Sequence, residues 1–130
     1  MPLLETTFLV DLLRGKAGAA ELLDELEGRG EPLFVSSPTV MELWKGVLEC
    51  GIQSRERTKV DEILSAIPIL PFESPDAKRT AEILFELSGR GTPIEVQDAM
   101  IAGMAISRGE TVVTRDAHFA RIPGLRMLKY

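Results

Sequence analysis

Short apolar runs alternate along this chain with longer stretches of helical periodicity, and that alternation constrains the fold more than any other feature. The runs are Pro2 to Leu4, Leu33 to Ser36 (LFVS), Ile67 to Leu70 (IPIL), Thr111 to Thr114 (TVVT) and a last short one near Leu125 to Leu128. Strands separated by helices imply a parallel sheet covered on both faces, because parallel neighbours need a crossover connection. The helical segments carry their own punctuation. Ser37-Pro38 resembles the cap of a helix running to Cys50, a second helix passes through Val60, Ile63 and Leu64, and Ser74-Pro75 opens another. In that one, Ala77, Ala81, Leu84 and Ser88 fall near one face, and it ends near SGRG. The segment Ala99 to Ile106 reads as a buried helix closed by Arg108 and Gly109. The expected fold class is a doubly wound α/β domain spanning residues 1–130.

Composition narrows the function classes. At 45% apolar and 27% charged residues, the chain is an ordinary globular sequence. The apolar stretch Ala99 to Ile106 is far shorter than the roughly 20 residues needed to span a bilayer, so no membrane role is expected. Nothing marks the N-terminus for export, which makes a cytoplasmic location the expectation. Cys50 is the only cysteine and His118 the only histidine. That excludes an internal disulfide and a thiolate metal cluster, and Cys50 reads as a buried or incidental thiol. A net charge of −5 argues against a broad basic surface, and the basic clusters Arg14 to Lys16 and Arg55 to Lys59 read first as solvated faces.

The acidic residues are more informative. Ligands of doubly wound sheets bind beyond the carboxyl ends of the strands, where strand order reverses. Glu5 follows the first strand, Asp116 follows TVVT, Asp98 opens the buried helix, and Glu42 lies in the first turns after LFVS. Singly, each has a structural explanation as a helix cap or a dipole partner. Jointly, four carboxylates on one edge repel unless cations or raised pKa values relieve them. Oxygen-only ligands suit Mg²⁺ or Mn²⁺ better than zinc. Two other acidic-pocket folds fail on their own motifs: the third strand, followed by PFES, supplies no acceptor Asp for a receiver domain, and ETT supplies no Asp-x-Asp for an aspartyl phosphatase.

Four segments, in order, resemble the PIN-domain ribonucleases and more closely their VapC-like toxin branch: LLETTFLVDLLRG, TVMELWKG, VQDAMIAGMAISRG and VVTRDAHF. The resemblance implies a PIN-like α/β/α sandwich with a central parallel sheet, and a divalent-metal-dependent endoribonuclease. It implies a catalytic pocket of Glu5, Glu42, Asp98 and Asp116, with Glu5, Asp98 and Asp116 as metal ligands and Thr6 and Thr114 supporting them. It also implies an RNA substrate, a cognate antitoxin and a homodimer. Arg14, Lys16, Lys45 and Arg115 are the candidate RNA-phosphate contacts. Phe119 is expected in the core and His118 at the surface. Trp44 and Phe85 are either core or partner surface, with core the expectation.

The chain departs from the family at Glu5, where an Asp is usual. The extra methylene displaces the carboxylate from the position a preorganised site requires. Two readings follow: an active nuclease, or a PIN-fold protein impaired in catalysis that acts as an antitoxin- or RNA-binding module.

Overall fold

The computed structural model describes residues 1–51 and 54–130. Its strands are β1 (Leu3–Leu4), β2 (Val35–Ser36), β3 (Ile69–Leu70), β4 (Thr111–Val113) and β5 (Arg126–Leu128). All pairings are parallel. Leu3 and Leu4 lie opposite Val112 and Val113, Val112 opposite Met127, and Val35 opposite Ile69. A bridge from Leu3 to Phe34 joins the two halves, with the Leu4 N–H donating to the Phe34 carbonyl at 2.8 Å. The strands therefore run β3-β2-β1-β4-β5, and the order reverses between β1 and β4.

Successive residues of a strand face opposite sides, and that rule builds the two cores. Leu3 and Val112 point into one, with Ile83, Leu87, Ile101, Met104 and Phe119. Leu4 and Val113 point into the other, with Phe8, Leu9, Leu26, Leu43, Val47 and Val60. The first core is closed by α5 (Ser74–Gly89) and α6 (Val96–Arg108). The second is closed by α1 (Thr6–Leu13), α2 (Ala17–Gly28), α3 (Ser37–Cys50) and α4 (Arg55–Ala66). This is the sandwich that the alternation of runs predicts. No helix among the described residues is long and apolar enough to cross a membrane.

Several local readings shift. Helix α2 has no counterpart among the sequence expectations, although Ala19, Leu22 and Leu26 form its buried stripe. The cap of α3 is Ser36, whose hydroxyl accepts from the Thr39 N–H, rather than Ser37. Helix α5 starts from a reciprocal capping box between Glu73 and Asp76. It buries Asp76, Thr80, Ile83 and Leu87, while Ala77, Ala81 and Ser88 face solvent. The buried face thus lies one residue before the expected one, because Asp76 and Thr80 find partners inside. Asp76 accepts from Arg108, Ser107 and the Glu73 N–H, and the Thr80 hydroxyl donates to the Asp76 carbonyl at 2.7 Å. Of the two readings of Cys50, buried or incidental, its exposure fits the second. Phe85, expected in the core, is 84% exposed, whereas Trp44 packs partly buried against the α1–α4 core.

Helices α5 and α6 touch at Gly103. A Cβ there would lie 2.3 Å from Thr80 Oγ1 and 3.0 Å from two backbone atoms of α5. In an open helix, Gly→Ala gains about 1 kcal/mol; here overpacking, typically about 1–3 kcal/mol, outweighs it. Gly103→Ala is expected to lower unfolding free energy by about 1–2 kcal/mol in urea titrations, and a gain in stability would show that the contact is soft.

Candidate metal centre

The acidic cluster forms where the strand order reverses. Glu5 ends β1 and caps α1, and Asp116 follows β4 and caps the 3₁₀ turn Ala117–Arg121. Asp98 stands in the first turn of α6, and Glu42 lies on α3. All four line one cleft of about 300 Å³, together with Thr6, Thr7, Val10, Glu95, Gln97 and Arg115. Four segments distant in sequence thus converge because parallel crossovers return every strand end to the same edge.

Hydroxyls hold two of the four carboxylates, and His118 holds a third. Glu5 is 2% exposed. Its longer side chain curls back on the helix it caps: Oε2 accepts from the Thr7 N–H at 3.0 Å, the Thr7 hydroxyl at 2.5 Å and the Thr114 hydroxyl at 2.7 Å. Oε1 accepts no hydrogen bond among the described residues. The Asp116 N–H donates to Thr114 Oγ1 at 3.0 Å, so one hydroxyl ties Glu5 to the Asp116 backbone. Glu42 accepts from the Thr6 hydroxyl at 2.8 Å, and Thr6 Oγ1 lies 3.0 Å from Thr39 Oγ1, itself 3.2 Å from Ser36 Oγ. A hydroxyl carries one proton. With the Thr6 proton on the carboxylate, Thr39 supplies Thr6 and Ser36 supplies Thr39. Asp116 accepts from the His118 N–H at 2.9 Å and lies 2.7 Å from His118 Nδ1.

Asp98 is half-buried and accepts no hydrogen bond among the described residues. Burial, then Glu5, Asp116 and Glu42, push its carboxyl from 3.8 up to about 6. Burial also raises Glu5, against the pull of Thr7 and Thr114. The cleft is therefore a site of uncompensated negative charge. Arg115 is the one basic residue lining it, and its guanidinium pairs with Asp11, Nε to Oδ2 at 2.6 Å and Nη2 to Oδ1 at 3.3 Å.

A divalent cation fits this donor set in charge and in chemistry, since every donor is a hard oxygen. As the side chains rest, no three Asp, Glu, His or Cys groups among the described residues are drawn tightly enough together to chelate an ion. Three of the four carboxylates are instead engaged by Thr6, Thr7, Thr114 and His118.

Of the four basic residues singled out from the sequence, Arg115 alone lines the cleft. Arg14 and Lys16 sit exposed beyond the far end of α1, and Lys45 is exposed and 3.9 Å from Glu49. Sequence reasoning missed Thr7, Asp11 and Tyr130. The ETT triplet contains the signal for Thr7, as a hydroxyl two residues after a helix-capping carboxylate. Asp11 and Tyr130 have no local signal, because their partners lie more than a hundred residues away.

Thr114→Val keeps the shape of a fully buried side chain and removes the link between Glu5 and Asp116. Partners of this kind are typically worth 10–100-fold in affinity or activity. The expected result is about a tenfold loss of metal affinity by calorimetry, with the fold intact by circular dichroism.

Comparison with known proteins agrees with this geometry. The PIN domain family model matches residues 3–125. The tRNA(fMet)-specific endonuclease VapC of Salmonella typhimurium is 39% identical over 96 residues, covering 73% of each chain. The protein of the same name from Shigella flexneri is 32% identical over 126 residues, 95% of this chain and 93% of that one. In structure, the chain superposes on VapBC2 of Rickettsia felis, solved bound to a promoter DNA fragment, with a TM-score of 0.90 at 27% identity over 99% of this chain and 98% of that one. For the DNA-bound VapBC of Salmonella typhimurium the TM-score is 0.87 at 32% identity, covering 98% and 96%. With the sheet order, the cleft at its reversal point and the family match all in agreement, the chain belongs to the PIN domain family, in its VapC-like branch.

Proposed function

We propose that this chain is a divalent-metal-dependent endoribonuclease, the toxin of a toxin–antitoxin pair, working at the cleft of Glu5, Glu42, Asp98 and Asp116. One observation carries the reading: four carboxylates from separate segments share a cleft whose lining holds a single basic side chain, itself paired with a fifth carboxylate, Asp11. Such a cleft stores repulsion that a cation relieves. Glu5, Asp98 and Asp116 would hold the ion, and Mg²⁺ or Mn²⁺ suits oxygen-only ligands. The chemistry a bound divalent ion supplies here is a nucleophile from water at neutral pH and offset of charge on the attacked phosphate.

The remaining work falls to the chain itself. Thr114 and Thr7 fix one oxygen of Glu5 and leave the other free. The Thr6–Thr39–Ser36 relay holds Glu42 at the cleft wall as an acceptor, placed to orient a water. Arg115 presents a positive rim for RNA phosphate.

Initiator tRNA is the first substrate to test, since relatives are named for it. The partners we propose are RNA, a cognate antitoxin of the kind present in the VapBC structures, and a second copy of the chain. Phe85, exposed beside Leu84, Pro93 and Ile94, gives an apolar surface suited to a protein contact.

The deciding experiment is calorimetric titration of Mn²⁺ into the native chain, followed by incubation with initiator tRNA. Saturable binding with discrete, EDTA-sensitive cleavage is expected. Absence of both leaves only the binding-module reading. Glu5→Asp then addresses the family departure. Its shorter side chain restores the usual carboxylate position, and a severalfold faster single-turnover rate is expected; equal rates would mean that the fold already accommodates the extra methylene.

A further inference from the structure

We propose that Asp11, backed by Tyr130, is a positioning residue that clamps the Arg115 guanidinium at the cleft rim, where it takes an RNA phosphate, and keeps it off the cation-binding carboxylates. The proposal rests on the ribonuclease reading and assigns a function to three residues which that reading leaves unexplained.

Asp11 is a carboxylate at 4% exposure on the face of α1 that also buries Phe8 and Leu9. Burying a charge there is costly unless it is paired and hydrogen-bonded. Arg115 meets it with two donors of one plane, Nε at 2.6 Å and Nη2 at 3.3 Å, a geometry that fixes the guanidinium's orientation as a single contact does not. The Tyr130 hydroxyl donates to the same Oδ2 at 2.6 Å, and its ring stands edge-on to buried Phe8 with centroids 5.1 Å apart. The carboxylate is therefore held from two sides before RNA arrives.

The guanidinium is not consumed by this pair. The Arg115 side chain remains 50% exposed and lines the same cleft as Glu5, Asp98 and Asp116. Nη1 has no partner among the described residues, so donors remain for a phosphate oxygen. Without the clamp, a flexible cation beside five acidic side chains (Glu5, Glu42, Glu95, Asp98, Asp116) would fold onto them. That internal ion pair would compete with the metal and withdraw the phosphate contact. Asp11 prevents both.

A purely structural salt bridge between α1 and the loop after β4 would affect stability alone, so the test reads metal and RNA separately, using the full chain. Asp11→Asn is expected to weaken Mn²⁺ binding by about tenfold, the effect of one released opposite charge near the ligands. Asp11→Asn with Arg115→Gln is expected to recover Mn²⁺ affinity to within about threefold of native, because no cation is left to compete. Arg115→Gln alone is expected to raise KM for initiator tRNA by about tenfold, more than it lowers kcat, and to reduce the slope of log affinity against log salt by about one. Tyr130→Phe removes one hydroxyl, shifts Mn²⁺ affinity in the same direction as Asp11→Asn, and serves if that variant does not fold. Native-like Mn²⁺ affinity in Asp11→Asn or, should that variant not fold, in Tyr130→Phe overturns the clamp, as does a double variant that recovers nothing. A native chain that neither binds Mn²⁺ nor cleaves the tRNA overturns the ribonuclease reading and the clamp with it.

Discussion

Asp98→Asn is expected to lower single-turnover RNA cleavage by roughly 10²–10³-fold, the scale of losing one electrostatic element of a preorganised site, and to abolish Mn²⁺ binding in calorimetry. The same change is expected to stabilise the metal-free chain. Burial and three neighbouring carboxylates raise the Asp98 carboxyl from 3.8 to about 6. A raised carboxyl pKa means that the folded state holds its proton more tightly than the unfolded state does. Asp98 therefore favours folding most below pH 3.8, and this contribution is lost as pH rises through about 6. In EDTA, urea midpoints of the native chain should fall across that window relative to those of Asp98→Asn. Opposite signs for stability and activity mark a group kept for function against the interest of the fold. A variant that loses activity and stability together would mean that Asp98 is structural.

Arg108→Ala is expected to cost about 3 kcal/mol in urea unfolding, because removing one partner of a buried ion pair strands the other. Asp76 is 2% exposed, and Arg108 Nη2 reaches its Oδ2 at 2.9 Å. Burial works to raise the Asp76 carboxyl, but Arg108, Ser107 and the Glu73 N–H outweigh it and hold the group below its ordinary 3.8. With a depressed folded pKa, the stabilisation is complete above 3.8 and disappears as pH falls through the lower folded value. The native chain should therefore lose this increment under acid, and Arg108→Ala, having less to lose, should show a shallower acid limb. A loss near zero would place the pair among surface bridges of little consequence.

Asp76 also shows where reading the sequence stops. The strands were legible because a parallel sheet is buried on both sides, so its strands are continuous apolar runs with no alternation to obscure them. The acidic residues were legible because strand ends and helix starts share one edge. The buried face of α5 was not, since it rests on Asp76 and Thr80, polar residues made tolerable by partners on α6. Helix α2 was hidden for another reason. Its stripe is three residues, Ala19, Leu22 and Leu26, inside a segment otherwise exposed and begun by two glycines and a lysine. Phe85 misled because large apolar residues are mostly buried, and an exposed one is apparent only in three dimensions. Arg14, Lys16 and Lys45 do not line the cleft, because charge alone does not fix the direction in which a helix carries a side chain.

The hydroxyl of Thr114 reaches back 109 positions to Glu5, and Arg115 reaches back 104 to Asp11. No hairpin brings any of these pairs together early, since each strand returns only after a helical crossover. During synthesis, Glu5, Glu42 and Asp98 emerge from the ribosome as separate solvated acids, and the cleft does not exist until β4 enters beside β1. The four carboxylates therefore share a cleft only after residues beyond 111 have joined the sheet.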